Sequence, residues 1–431
     1  MSGKKLMFTL TYHEGVKILH PEQPYRVVEE NEIVYVKQGE TVNFSATTSL
    51  YCGWTYWSCS DSSVGTIDST TGAFTPTACG SVTITIDNGE TGSVRYENSI
   101  TVYVVPVVPG EYYLETPLQS DCFIEPMTSV ATGNKLTVGP LAEDEDNRLV
   151  VAFVPSGEFG YYTIKKEVKT ANAVSSYYLG VNTTADAMPI QYYSNASVSS
   201  RRFNIELCDS GYYRIVSRVT TSYDKVITAN STTPAGSQLT IQTYTENTSY
   251  NDEWIFRRVL PTGGSEKTVD SSFWNNQGDL NCISYALNAI CSENGDFIVS
   301  FGDPPTDITL PWDENKVYSE LCRNAQNHGF LVERIGKYET CPEGYYKIAV
   351  AYTDVYDLNS GYHYYRQGIN GTWSHKRMYG NISRVDANNK TIFDPETSDR
   401  SFLNSSFPAS MKNYPYFIGY YAINPGNVLQ P

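Results

Sequence analysis

Three side chains in the last third of this 431-residue chain could carry out covalent chemistry together: Cys282, His363 and His375. Cys282 stands in Asn281-Cys282-Ile283-Ser284-Tyr285-Ala286-Leu287-Asn288, and Ile283, Ala286, Leu287 and Ile290 recur there at helical spacing. The pattern predicts a buried helix from Cys282 to Ser292 with the cysteine on its first turn. Unpaired backbone N–H groups and the macrodipole at such a terminus favour a thiolate over a thiol. His363 lies in Gly361-Tyr362-His363-Tyr364-Tyr365 and His375 in Trp373-Ser374-His375-Lys376, 375 − 363 = 12 positions apart, with Gly368-Ile369-Asn370-Gly371 between them as a turn. Two strands joined by that turn set the imidazoles side by side. The chemistry would be nucleophilic attack by Cys282, proton transfer to His363, and orientation of the His363 ring by His375. Asp394, which ends Thr391-Ile392-Phe393-Asp394, competes with His375 for the third place, and Asp386 also follows. The plainer alternative is an inert core thiol, the usual fate of a cysteine among Ile and Ala.

The surrounding pattern must supply the scaffold. Pro261-Thr262-Gly263-Gly264-Ser265-Glu266-Lys267 is polar and rich in breakers, so 260–271 reads as a linker. After it, helices are expected at 282–292 and 313–327, then strands at 330–335, 345–352, 362–367, 372–377, 391–393 and 416–423. Helices first and an antiparallel sheet after is an α+β layout.

This order of nucleophile and two strand histidines resembles the NlpC/P60-like branch of the papain-like cysteine peptidases and amidases, over residues 272–431. The resemblance implies hydrolysis of a peptide or amide bond, in a peptidoglycan stem peptide or a surface protein. It also implies an oxyanion hole made by the Cys282 N–H and a side-chain donor, for which Gln277 and Asn281 are placed.

The first 260 residues read as β-structure. Between 23 and 106, short alternating strands surround Trp57-Ser58-Cys59-Ser60-Asp61, Val64-Gly65-Thr66-Ile67-Asp68 and Gly80-Ser81-Val82-Thr83-Ile84. This run resembles a group 2 bacterial Ig-like domain, a β-sandwich, while residues 1–22 show no pattern. Beyond Pro109 a unit repeats about every 50 residues: Phe153, Phe203 and Trp254 are spaced by 50 and 51, and Gly160-Tyr161-Tyr162 matches Gly211-Tyr212-Tyr213. The repeats also align through Tyr112-Tyr113-Leu114, Tyr177-Tyr178-Leu179 and Lys225-Val226-Ile227. Residues 110–259 resemble a ricin-B-type β-trefoil, with Phe or Trp at the family's core aromatic position. The openings Leu179-Gly180-Val181-Asn182 and Ile227-Thr228-Ala229-Asn230 lack the aspartate that marks sugar-binding repeats of that family. Tyr192, Tyr193 and Tyr244 remain as rings that could stack on a sugar face.

A net charge of −16 without a basic stripe excludes nucleic acid as partner. No stretch reaches transmembrane length, and the polar start reads as no signal peptide. The Tyr-, Ser-, Thr- and Asn-rich surface suggests an extracellular or cell-surface protein of bacterial type. Nine cysteines allow one reactive thiol plus pairs, such as Cys322 with Cys341 and Cys52 or Cys59 with Cys79, or simply unpaired thiols. The acidic run Glu143-Asp144-Glu145-Asp146 reads as a solvated loop before it reads as a calcium site, and no cofactor or metal motif is present. Two functions follow. One is a modular cysteine hydrolase brought to a cell wall or glycoprotein by its β-modules. The other is a glycan- or protein-binding adhesin or toxin component with an inactive C-terminal domain.

Overall fold

The computed structural model describes residues 16–29, 31–48, 56–87, 97–127, 129–141, 146–154, 160–170, 172–220, 222, 224–229, 232, 234–245, 251–266, 270–276, 282–288, 314–315, 318–319, 321–323, 329–353, 362–377, 380–402 and 413–424. It is mostly β-strand with few, short helices. The chain divides into two compact units, Met1–Val108 and Pro109–Pro431.

In the first unit, a four-stranded sheet has the order Ile33–Lys37, Glu97–Val105, Gly80–Asp87, Tyr56–Cys59. The first pair is parallel and the others antiparallel. Alternation explains its core: Val82, Ile84 and Ile86 turn inward from Gly80–Asp87, while the residues between them face out. They meet Trp57, Phe44 and Phe74, the last two on and beside a second, three-stranded sheet. Gly72, at φ +75°, has no room for a side chain, because a Cβ would meet the Phe44 carbonyl and the Trp57 ring. The segment read as unpatterned contributes Val16–His20, which pairs with Gln23–Val27 and Ser45–Thr48.

Within the second unit, six strands close on themselves. Gly110–Glu115 pairs with Leu149–Phe153, and this with Tyr162–Thr170. Tyr162–Thr170 meets Phe203–Leu207, which pairs with Tyr213–Ser217. Tyr213–Ser217 joins Glu253–Arg258, and that strand returns to Gly110–Glu115. Three hairpins cap the barrel: Cys122–Pro126 with Leu136–Pro140, Ala173–Gly180 with Gln191–Tyr193, and Lys225–Thr228 with Thr240–Thr243. Bridges Lys135↔Gln191, Thr137↔Gln238 and Met188↔Ile241 tie the hairpins to one another. A six-stranded barrel under a triangle of hairpins is a β-trefoil. Phe203 and Trp254 are fully buried in it, whereas Phe153 is half-buried. The sequence alignment of the repeat openings needs correcting. Tyr177–Leu179 and Lys225–Ile227 lie in cap hairpins, and the barrel equivalents of Gly110-Glu111-Tyr112 are Gly160-Tyr161-Tyr162 and Gly211-Tyr212-Tyr213.

The remainder is a six-stranded antiparallel sheet with two described helices, α1 (Ser271–Asn275) and α2 (Cys282–Ala286). Its strands are β1 (Leu331–Ile335), β2 (Tyr346–Tyr352), β3 (Tyr362–Gln367), β4 (Trp373–Lys376), β5 (Ile382–Ser383) and β6 (Tyr416–Asn424), in the spatial order β1-β6-β2-β3-β4-β5. The stretch Thr391–Phe393 forms no strand; it joins through a bridge, Thr391↔Val385, and through hydrogen bonds from Trp373 N–H to the Ile392 carbonyl (2.8 Å) and from Ile392 N–H to the Arg384 carbonyl (3.1 Å). The described residues of 314–323 are helical. Helix α2 is much shorter than the apolar spacing predicts. Asn288 adopts φ +49° two residues after its last turn, a left-handed stop of the kind that ends helices, and Cys291 lies outside the described residues.

Of the segment expected to be a linker, the described residues 260–266 are packed rather than loose. Leu260 is buried in one core of the sheet domain with Ala349, Tyr365 and Trp373, and the Glu266 carboxylate accepts from the N–H groups of Gly263 (2.5 Å) and Gly264 (2.7 Å). Cys59, Cys79, Cys122, Cys208, Cys282, Cys322 and Cys341 are all free thiols, so the proposed Cys322–Cys341 and Cys59–Cys79 bridges are not formed. Cys52 lies outside the described residues.

Candidate functional site

Helix α2 lies against β3 and β4, and polar contacts fix its register. Tyr285 Oη and Ser374 Oγ share a hydrogen bond of 2.5 Å, Tyr346 Oη donates to the Ala286 carbonyl at 3.0 Å, and buried Arg366 donates through Nη1 to Asn288 Oδ1 at 2.8 Å. Apolar packing does the rest: Cys282, Ile283, Ala286 and Leu287 share a core with Tyr346, Ile348, Val350, Tyr352 and Tyr364. This register carries Cys282 to the edge of β3, where its Sγ points to the Tyr362 carbonyl at 3.9 Å.

Period-two alternation sorts β3. Tyr364 packs with Cys282, whereas Tyr365 packs on the opposite face with Trp373 and Tyr414. His363 stands on the Tyr365 side. Its ring stacks on Tyr414, with centroids 4.6 Å apart and planes 22° apart, and meets Tyr365 edge-on at 4.9 Å. The hairpin register pairs Tyr365 with His375, so His363 and His375 are diagonal neighbours. Their side chains meet: His363 Nε2 is 2.7 Å from His375 Nδ1. His375 Nε2 in turn lies 3.2 Å from the Val385 carbonyl, and its ring sits beside Phe402 at 5.4 Å.

These contacts fix both tautomers. A carbonyl only accepts, so His375 Nε2 carries the proton and its Nδ1 is bare in the neutral ring. His375 Nδ1 therefore accepts from His363 Nε2–H, which leaves the His363 lone pair on Nδ1. Burial holds both rings neutral. It depresses His375 to about 4 against the favourable Val385 carbonyl, and it depresses His363 well below the ordinary imidazole value, with His375 and Arg377 adding to the effect. The thiol moves the other way from the sequence expectation. Burial pushes Cys282 up to about 11, outweighing the N–H groups of Tyr364, Cys282 and Ile283 that favour its charged form. A helix of five residues has little dipole to oppose the loss of solvent.

The other candidates fall elsewhere. Asp394 is bound to Lys337 Nζ (2.5 Å) and accepts from Tyr420 Oη (2.5 Å), so the partner of the His363 ring is His375. Asp386 accepts from the N–H groups of Asn388, Lys390 and Asp399 and staples its own loop. Gln277, Asn281 and His328 lie outside the described residues. Val385, Tyr365 and Tyr414 were not legible as site residues. A carbonyl carries no sequence signal, and the two tyrosines belong to a chain that has 35 of them.

On the trefoil, Tyr192 is fully buried and offers no platform. Tyr193 is also buried, under the Arg201 guanidinium at 3.7 Å from its ring centre. Tyr244 differs. It is 37% exposed and backed by the Arg214 guanidinium at 3.9 Å, which is itself held by the buried Asp252 carboxylate at 2.8 Å. Asp146, the described member of the acidic run, is paired with Arg148 at 2.7 Å and with Lys166 at 3.2 Å. No group of three metal-ligating side chains occurs, and no helix is long and apolar enough to cross a membrane, among the described residues.

No family model and no curated protein matches the chain. Among solved structures it is similar to the Polyporus squamosus lectin bound to Neu5Acα2-6Galβ1-4GlcNAc, at 13% identity and TM-score 0.31 over 64% of this chain and 95% of that one. A mosquitocidal holotoxin matches at 13% identity and TM-score 0.31, over 87% of this chain and 48% of that one. The designed three-fold symmetric protein ThreeFoil matches at 20% identity and TM-score 0.28, over 34% and 97%. Likeness at these scores bears on neither ligand nor activity.

Proposed function

We propose that the chain is a binding protein of the lectin or toxin-component kind, with glycan recognition on the trefoil. The observation that carries this reading is Tyr244. Its ring is exposed, and a guanidinium anchored by a buried carboxylate holds it from behind. A phenol ring fixed in this way can lie flat against the apolar face of a sugar without paying for its own ordering. The state of Cys282 agrees: a buried thiol pushed up to about 11 is protonated at neutral pH and is a weak nucleophile. The partner would be a cell-surface glycan or glycoprotein. The test is titration with a panel of galactose- and N-acetylhexosamine-terminated oligosaccharides. Tyr244→Ala is expected to weaken the best ligand about tenfold or more; unchanged affinity in that variant removes Tyr244 as the platform.

A second reading, cysteine hydrolysis of a peptide or amide bond, rests on the histidine relay. Val385, His375 and His363 are ordered so that the remaining lone pair is on His363 Nδ1, the form a general base needs. In that reaction the Cys282 thiol, packed on the Tyr364 side of β3, would have to pass its proton to His363 on the Tyr365 side; the sulfur attacks the carbonyl carbon to form a thioester, the amine leaves with the proton, and water then releases the acid. Iodoacetamide labelling from about pH 4 to 9, mapped by peptide mass, separates the two readings. Fast alkylation of Cys282 below neutrality that slows in His363→Ala supports the hydrolase. Reactivity no greater than that of an ordinary thiol leaves the binding protein.

A further inference from the structure

The hairpin that carries both histidines is seated on the trefoil. Its turn is stitched internally by Gly368 N–H to the Thr372 carbonyl, Gly371 N–H to the Gly368 carbonyl, and Thr372 Oγ1 to Asn370 Oδ1. The outward carbonyls of that turn are then taken by trefoil side chains. Tyr113 Oη donates to the Asn370 carbonyl at 2.9 Å, and Arg148 Nη2 to the Ile369 carbonyl at 3.2 Å. Arg148 is no loose reach. Asp146 and Glu111 hold the rest of its guanidinium at 2.7–2.8 Å. Val259 fills the space beside Gly371 so closely that a Cβ there would collide with it, and Gln367 Nε2, at the end of β3, donates to the Leu260 carbonyl at 2.7 Å.

The far end of the relay is tied to the same module. Val385, whose carbonyl orients His375, bridges to Thr391, and Thr391 N–H donates to Asp121 Oδ1 of the trefoil at 3.2 Å. Two residues on, Phe393 packs between Tyr113 and Phe123 at 5.4 and 5.6 Å.

We infer that the trefoil is the positioning element of the histidine pair, with Tyr113, Arg148 and Asp121 as positioning residues that set the hairpin register and the carbonyl on which the His363–His375 hydrogen bond depends. The physical reason is the period of a strand. The pair meets only in the register that sets Tyr365 opposite His375, and a slip of one residue moves an imidazole to the other face of the sheet. A hairpin's register is fixed by its turn, and this turn is held from outside the sheet. The inference concerns the histidine geometry and stands whether the chain binds glycans or hydrolyses amides.

The test uses the full chain and reads the histidines themselves. Proton–nitrogen correlation spectra of the side chains, assigned with His363→Gln and His375→Gln, report tautomer and titration. In the wild type both rings are expected as the Nε2–H tautomer, with His375 titrating near 4. The double variant Tyr113→Phe with Arg148→Lys keeps volume and charge but loses both carbonyl contacts. It should show mixed tautomers and a His375 titration moved by about one unit or more toward 6.5. Should that variant not fold, Tyr113→Phe alone decides, with the same direction and a smaller shift. Gly371→Ala should produce the larger disturbance, partly reversed by Val259→Ala. Wild-type tautomers and titration in a folded variant lacking the carbonyl contacts would overturn the inference.

Discussion

The trefoil barrel and the sheet domain are built to opposite rules. In the trefoil, interior positions are apolar, with Leu114, Val151, Ile164, Ile205, Ile215 and Trp254 all but inaccessible. Among its buried charges, Glu115 is paired with half-exposed Arg257 and Asp252 with Arg214, while Arg201 is held by Ser200, Asn182 and the Tyr193 ring. The sheet domain instead buries Lys347, His363, Arg366, Gln367, His375 and Lys376 along three neighbouring strands. Tyr365 Oη, Gln367 Oε1 and Trp373 Nε1 are buried there with no hydrogen-bond partner among the described residues. Each such group costs about 1–3 kcal/mol. Closure of six strands solves the trefoil's stability, whereas the sheet holds polar groups that stability alone does not call for. Local rules are broken where a site or a strained element lies, and that points to the histidine face.

Four measurements would break or sharpen the contrast. The largest effect is expected from Trp254→Ala, which empties the barrel centre at a cost of about 3–5 kcal/mol. Because the trefoil and sheet share contacts from Tyr113, Arg148 and Asp121, urea unfolding of Pro109–Pro431 should remain one transition that moves as a whole. Two separated transitions would show the modules to be independent.

As pH falls from neutrality, acid should act on the sheet before it reaches the trefoil carboxylates Asp146 and Asp186, which hydrogen bonds and cationic partners hold below the ordinary carboxylate range. His375 titrates near 6.5 when unfolded and near 4 when folded, so the unfolded chain takes up its proton first. The stability this ring contributes is present above about pH 6.5 and is lost as pH falls to about 4, amounting to about 3 kcal/mol. Urea midpoints across that range, compared with His375→Phe, should show a flatter profile in the variant. Tyr285→Phe, which removes the bond to Ser374, should lower stability by about 1 kcal/mol and loosen α2. Smallest of all, Tyr244→Ala should change stability by less than about 0.5 kcal/mol, so any loss of glycan affinity would belong to the site and not to the fold.

Much of this was legible in the sequence, for identifiable reasons. The trefoil announces itself because three copies of one pattern reinforce one another, though the phase was misread. Cap hairpins carry Tyr177-Tyr178-Leu179, which imitates the opening of a barrel strand, and the Gly-x-Tyr spacing at 110, 160 and 211 was the truer guide. The histidine contact was legible because 12 residues and a glycine turn leave a hairpin few registers. The length of α2 was not, since apolar spacing continues past Asn288 while the backbone turns left-handed there. Nor was the thiol's state: a helix terminus says where charge is favoured, and only packing says how much water is left. The stretch 260–266 looked like a linker because Pro, Gly and Ser break regular structure equally well in a loose tether and in a packed loop.

The seven free thiols have a consequence for where the chain can travel. A secreted domain stapled by disulfides loses its restraints on entering a reducing compartment. Here the described cysteines contribute no cross-link to lose. The described contacts of the barrel, the sheet and the seat between them therefore do not depend on oxidation of these seven thiols.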